Sequence, residues 1–519
     1  MKNDSLAAKS HDKEKNPKII PLPEAEERKK SDAAPETEEK PEYLMINGKK
    51  VIKFWKYEKR KLTINSYHLK LFSQDEGFYK AKIFGALTYI RCDGYIVNEI
   101  EIQYYSDYLL KFIENIPEET VNLKTKTDIL DLLIRKKGEF FNARFYDTLE
   151  TLEIDFLQDT LDTSWIFYKN GALKVTADST ELIGYSELKK YVWGKYILQR
   201  DWKPLEEVSQ FEKFLSNITG NSKERLLSAM SALGYLLVGY KDRRSPKVII
   251  FCDEVPSELD SGRNGKGMIG QAMGHIREVV TLNGKTFSPS RNFAWQEVKL
   301  TTRIIDLDDI QGNLNFRKMF STITDDFTIE EKYKNPVKRT YDNSPKIAMT
   351  TNHLPKGLDG STLHRQFIVE ISDCYDNYFT VGMHFGAELF KSWDPDEWGR
   401  FDFFMACCIQ NFQTNGLIPW NEKGVLIKRL INETSEEFYE WTKQMNLTVD
   451  VKYEKKELYD LFRPYYSDEN NVSFWQFSKW LTFYSVAMGY GKPQLSQSGP
   501  RKFITFMKRK ERKKEEMKK

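Results

Sequence analysis

Residues Val248 to Met268 constrain the fold of this chain more than any other stretch. An apolar, largely β-branched run from Val248 to Phe251 enters a loop carrying Gly262, Arg263, Asn264, Gly265, Lys266 and Gly267. From Met268 onward the apolar spacing becomes helical. A buried strand, a glycine loop and a helix in immediate succession require neighbouring strands and a layered α/β arrangement. Glycines let several backbone N–H groups turn toward one point, the helix N-terminus adds a positive dipole, and Lys266 adds a mobile cation. Together these are the parts of a phosphate cradle. The loop departs from G-x-x-x-x-G-K-[ST] at two places: Asp260 stands at the first glycine and Gly267 at the final hydroxyl.

Three later segments bear on the same chemistry. In "TTRIIDLDDIQ", Ile304, Ile305 and Leu307 lead into Asp308 and Asp309. An acid pair at the end of a buried strand suits Mg²⁺ beside phosphates, with the second acid polarising water; the alternative is a solvated turn. In "PKIAMTTNHLP", an apolar strand from Lys346 to Met349 ends in Thr350, Thr351 and Asn352. An amide there can bond both a terminal phosphate and an attacking water. In "LDGSTLHRQFIVEI", Arg365 is placed to reach a phosphate across a subunit boundary, or else is a surface arginine.

Loop, acid pair, Asn-ended strand and late arginine, in that order, resemble the superfamily 3 helicases, AAA+-related motors. The similarity is closest to the helicase portion of phage and mobile-element primase-helicases. It covers roughly residues 162–418 and a C-terminal winged-helix-like module. The resemblance implies an AAA+-like P-loop core that binds ATP and Mg²⁺, assembles as a ring, most often a hexamer, and grips single-stranded DNA. It assigns the β- and γ-phosphates to Lys266 and the surrounding loop from Gly262 through Met268, Mg²⁺ to Asp308, the water to Asp309, γ-phosphate sensing to Asn352, and a finger acting in trans to Arg365. It also implies a turn at Thr324, Asp325 and Asp326 before a DNA-contacting hairpin bearing Lys332, Lys334, Lys338 and Arg339. Gly267 and His364 depart from the family pattern, where a hydroxyl residue and a further arginine are usual.

Around the motor, the expected organisation is a disordered charged arm at 1–42, an α+β accessory domain at 43–200, a helical segment at 201–242, the ATPase at 243–420, a winged-helix-like module at 421–507 and a basic tail at 508–519. Within 201–242, helices are expected to begin near Pro204 and, with Asn221 as cap, after residue 221. In the C-terminal module, Lys479 and Gln476 are expected to face DNA, whereas Trp475, Phe477, Trp480 and Phe483 read as core. From Arg501 onward there are ten basic and three acidic residues against an overall formal charge of +3, so the body is slightly acidic and only the tail is basic.

Five scattered cysteines without a C-x-x-C pair give neither a zinc site nor a disulfide framework. No apolar run is long enough to cross a membrane, and the setting expected is a reducing cytoplasm, that of a bacterial host for a phage or mobile-element protein. Glu153 and Asp155, two apart, mimic a primase acid pair if they share a strand face, but read as a plain surface strand. Three functions follow: an ATP-dependent replication helicase or translocase, with a separate primase or polymerase as partner; a DNA-binding initiator or assembly factor that binds ATP without efficient turnover; and a bifunctional primase-helicase.

Overall fold

The computed structural model describes residues 40–58, 61–254, 265–311, 314–330, 332, 335–352, 354, 357–375, 378–466 and 472–508. Most of the expected arm and tail lies outside these residues.

The first unit opens with two antiparallel hairpins, β1 (Glu42–Ile46) with β2 (Lys49–Lys53) and β3 (Trp55–Glu58) with β4 (Lys61–Ile64). Helix α1 (Ser66–Asp75) follows, its first turn capped by the Asn65 side chain, which accepts from the Tyr67 and His68 amides. A meander of β5 (Phe78–Ile83), β6 (Ala86–Asp93) and β7 (Ile96–Glu99) leads to helices α2 (Ile102–Glu114) and α3 (Leu123–Arg135), short helices α4 (Lys137–Phe140) and α5 (Ala143–Tyr146), and strand β8 (Thr151–Leu152). Leu69, Phe72, Phe78, Tyr105, Leu109 and Ile129 build its core. Strand β8 stops at Leu152, so Glu153 and Asp155 share no strand face. Asp155 is exposed and pairs with Lys190 at 3.0 Å.

A second, four-stranded sheet has the order β11-β10-β9-β13, from β9 (Ser164–Tyr168), β10 (Gly171–Val175), β11 (Thr180–Ile183) and β13 (Ile197–Leu198). Between them β12 (Val192–Trp193) returns to pair with β7. Helices α6 (Gln210–Ile218) and α7 (Lys223–Leu237) come next. They start later than the sequence suggests because hydroxyl caps decide: Ser209 Oγ accepts from the Glu212 amide at 3.0 Å and Ser222 Oγ from the Arg225 amide at 3.4 Å. Asn221 instead takes a left-handed backbone, with φ 53°.

The third unit contains β14 (Val248–Asp253), α8 (Lys266–Gly274), β15 (Val279–Asn283), β16 (Ile304–Ile310), α9 (Phe320–Thr324), the antiparallel hairpin β17 (Phe327–Ile329) and β18 (Val337–Arg339), β19 (Lys346–Thr351), α10 (Gly360–Arg365), β20 (Gln366–Ile371), α11 (Val381–Phe385) and α12 (Pro395–Asn415). Five of these strands form an all-parallel sheet in the order β15-β16-β19-β14-β20. Such a sheet must be covered on both faces, which explains why β14 and β19 are buried at every residue. One face packs against α6, α7, α8 and α12 through a core that also takes in Ile166, Tyr168 and Leu173 of the four-stranded sheet. The other face packs Ile250, Ile305 and Leu307 against Phe316, Met319 and Phe327.

The chain ends in α13 (Glu422–Glu433), α14 (Glu436–Met445), α15 (Lys455–Phe462) and α16 (Phe474–Ala487), with a three-stranded antiparallel sheet of β21 (Lys452–Glu454), β23 (Arg501–Thr505) and β22 (Gln494–Ser498). Phe438, Trp441, Phe462, Phe477 and Trp480 fill its core. Trp475 does not join them. It is 74% exposed on another flank of α16, whose apolar stripe is narrower than its aromatic content suggests. Among the described residues no helix is long and apolar enough to cross a membrane.

Candidate functional site at the carboxyl edge of the parallel sheet

In an open parallel sheet, ligands sit beyond the carboxyl ends of the strands where successive connections diverge. Here that point is the end of β14. The chain leaves it toward β15 at one edge, and β19 later crosses over it to β20 at the other. Gly265 precedes α8 with φ 79°, and a Cβ there would approach the Phe214 ring to 2.7 Å. Only glycine meets both demands. Lys266 follows, and its Nζ donates to both carboxylate oxygens of Asp253 and to Asn352 Oδ1, each at 2.6 Å. Residues 13 and 86 positions away in sequence thus meet at one amine. Asp253 and Lys266 are almost fully enclosed. Asp373, just beyond β20, has its carboxyl pushed up by burial first and then by Asp253 and Glu254, with Lys266 opposing.

The acid pair is shaped by a β-bulge. The register of β16 against β19 shifts between Leu307 and Ile310, and Asp309 takes φ 58°. Thr350 Oγ1 pins this bulge, donating to Asp308 Oδ1 and accepting from the Asp309 amide, both at 2.7 Å. Asp309 turns outward to pair with Lys285 at 2.8 Å. β16 therefore runs on through both acids to Ile310 rather than ending at them, and the bulge is what aims them differently.

Two residues before Asp308 lies Asp306, which is 3% exposed. Burial, and then the charge of Asp308, push its carboxyl up to about 7. Asp306 does not stand out in the sequence; Asp253 has a legible signal, as the first charge after a wholly apolar run and ahead of the glycine loop. Thr350 had one too, as a hydroxyl in the Asn-ended strand.

Of the residues expected to bind nucleotide, Lys266, Asp308, Asp309 and Asn352 come together at this edge, while Gly262, Arg263 and Asn264 lie outside the described residues. Gly267 is exposed, with nothing within 4 Å of a Cβ built on it. Met268 packs its side chain into the main core, and its amide bonds the Gly265 carbonyl at 2.9 Å. Arg365 is elsewhere. It ends α10, beside Gln366, which pairs with Val248 at the amino end of β14. A six-residue strand separates it from the lysine by about 20 Å. Its guanidinium lies over the Phe320 ring at 4.4 Å and donates to the Ser361 carbonyl at 2.9 Å.

On the hairpin, Lys332 is exposed and Lys338 pairs with Asp326 at 3.3 Å. Lys334 lies outside the described residues. Arg339 does not fit the DNA-contact expectation: it is 1% exposed and donates to the carbonyls of Lys299 at 3.1 Å, Thr302 at 2.9 Å and Asn343. Its side chain points to the interior because alternate residues of a strand face opposite ways. Lys479 is exposed on α16, with its amine 5.2 Å from the Phe483 ring. Among the described residues no group of three His, Cys, Asp or Glu side chains is placed to hold a metal ion by itself. A divalent ion here would need phosphate oxygens as well.

A family described only as one of unknown function (DUF5906) matches residues 259–365, the stretch from the loop to Arg365. No curated protein matches the chain. Among solved structures, the A form apo structure of the NrS-1 C-terminal region is 11% identical, with 86% of this chain and 99% of that chain covered and a TM-score of 0.39. An apo structure of the NrS-1 C-terminal region (305–718) is 12% identical, covering 86% and 98%, with a TM-score of 0.37. A JCV helicase structure with a bound small molecule is 13% identical, covering 54% and 65%, with a TM-score of 0.23. Superpositions of this quality establish neither a common fold nor a common activity.

Proposed function

We propose that this chain is an ATP-dependent DNA helicase or translocase of superfamily 3 type that acts in replication as a ring. The observation that carries this reading is the meeting of Lys266, Asp253 and Asn352 at the carboxyl edge of a parallel sheet, beside the Asp308–Asp309 bulge. In the absence of nucleotide, Asp253 and Asn352 hold the Lys266 amine where a phosphate would sit. On binding, β- and γ-phosphate oxygens replace the Asp253 carboxylate as its partner, and the first turn of α8 directs its dipole at them. Asn352, released from Lys266, bonds the γ-phosphate and orients the water. Asp309, on leaving its pair with Lys285, accepts the water proton, and Asp308, held by Thr350, faces the phosphate side. Mg²⁺, held by Asp308 and phosphate oxygens, would neutralise charge developing on the transferred group.

Exposed Lys332 and Lys338 contact single-stranded DNA through its phosphates, which gives grip without base reading. The C-terminal helices and antiparallel sheet act as a winged-helix-like module, with Lys479 and Gln476 on an open face of α16. A separate primase or polymerase would supply the synthesis step.

Gly267 favours one other reading, an assembly factor that binds ATP without efficient turnover. Steady-state ATP hydrolysis with and without single-stranded DNA separates the two. Lys266→Ala takes its paired cation from the buried Asp253 carboxylate, so the double variant Lys266→Ala/Asp253→Asn is measured beside it. DNA-stimulated turnover in the wild type, lost about 100-fold or more in both variants, is the expected result. Unchanged turnover would exclude this site. ATP binding with no turnover in any of them would support the assembly factor.

A further inference from the structure

The alternation of β16 places Asp306 and Asp308 on one face of the strand, about 7 Å apart along it. Asp306 is buried in the sheet, yet its Oδ1 has no hydrogen-bond partner. Its Oδ2 lies against α8 at Gly270, where any Cβ would overlap it. Gly270 stands three residues after Gly267, on the same side of the helix. Gly267 in turn has open space around it. The first two turns of α8 therefore present two positions without side chains, Gly267 and Gly270, and a carboxylate with an idle oxygen fills the room at the second. An unpartnered buried carboxylate is costly to keep unless a ligand uses it.

We propose that Asp306 joins Asp308 in the coordination sphere of the divalent ion, taking the position that a hydroxyl after the loop lysine would otherwise supply. This rests on the nucleotide-site reading above. Two carboxylates from one strand, nucleotide phosphates and water satisfy an ion that prefers six oxygens. Gly270 is required for space: a methyl group there would push the carboxylate away from the helix.

The test is the affinity of Mn²⁺, followed by electron paramagnetic resonance, for the full chain saturated with a non-hydrolysable ATP analogue. Asp306→Asn keeps the volume and should bind the metal-free analogue as the wild type does, while Mn²⁺ affinity falls about tenfold or more. Gly270→Ala should lose a similar factor, and the double variant no more than either alone. Gly267→Ser, introduced into Asp306→Asn, should recover most of the loss by restoring an oxygen ligand. Thermal melts establish that each variant is folded, and if Asp306→Asn is not, Gly270→Ala carries the same comparison. Unchanged Mn²⁺ affinity in a folded variant that binds the analogue overturns the role of Asp306. Failure of the wild type to bind the analogue at all overturns the nucleotide site itself.

Discussion

Two lysines lie beneath the amino end of the parallel sheet, far from any phosphate. Lys241 is 7% exposed and donates to Ser344 Oγ at 2.5 Å; Lys346 is 4% exposed and donates to the Val238 carbonyl at 2.6 Å. Burial, as the first cause, pushes the Lys241 amine down to about 7 and that of Lys346 well below its ordinary value. Between about pH 7 and pH 10 the unfolded chain therefore binds a proton at Lys241 that the folded chain does not. Stability contributed by this site rises with pH across that window, by up to about 1.4 kcal/mol per pH unit, and is lowest below it, where both states are charged. Denaturant titrations from pH 7 to pH 9 should show this slope, reduced by about one proton in Lys241→Met; an unchanged slope would place the charge elsewhere. Neither lysine was legible in the sequence, where a lysine at a strand end reads as solvated. Burial of the amine depends on which carbonyls the fold brings to it. Lys266 was legible because its glycines and the strand before it specify its environment locally.

At the scale of elements, the hairpin β17–β18 shows what composition can and cannot resolve. The sequence groups Lys332, Lys334, Lys338 and Arg339 as one basic cluster on a hairpin, and β17 and β18 pair antiparallel. Strand alternation then divides the cluster, sending Lys338 to solvent and Arg339 into the interior. Lys332→Ala/Lys338→Ala should weaken single-stranded DNA binding and lower its salt dependence by about two charges, with the thermal midpoint unchanged. Arg339→Ala should cost about 2 kcal/mol or more in stability, since it removes the donor to one buried and two part-buried carbonyls, and equal effects of the two changes on DNA affinity in folded protein would contradict this division. The acid-bearing strand has a similar limit. Asp308 and Asp309 stand out in the chain as carboxylates after an apolar run, but the bulge that aims them depends on Thr350, 41 residues from Asp309. No local pattern predicts a partner at that separation. The same holds for Asp306, whose interior position follows from the packing of α8 across the sheet.

For the whole molecule, the apolar runs in the sequence indicate α/β layering, but not that β20 lies parallel beside β14, which puts Arg365 at the amino end and Lys266 at the carboxyl end of neighbouring strands. The resemblance to superfamily 3 helicases implies that an arginine so placed serves a neighbour's nucleotide, not its own. Mixing Arg365→Ala with Lys266→Ala should therefore recover part of the turnover that each lacks, at interfaces pairing the intact lysine of one with the intact arginine of the other. No recovery on mixing, with either subunit present in excess, would count against action across a boundary. The four-stranded sheet beside the parallel one has a different bearing. Ile166, Tyr168 and Leu173 belong to the same apolar cluster as Ile249, Phe251 and Ala348. A shared interior leaves no seam, so the sheet from Ser164 to Leu198 is not a detachable attachment to the larger one. Removing or exchanging it would uncover apolar residues of the parallel sheet and its helices that it now covers.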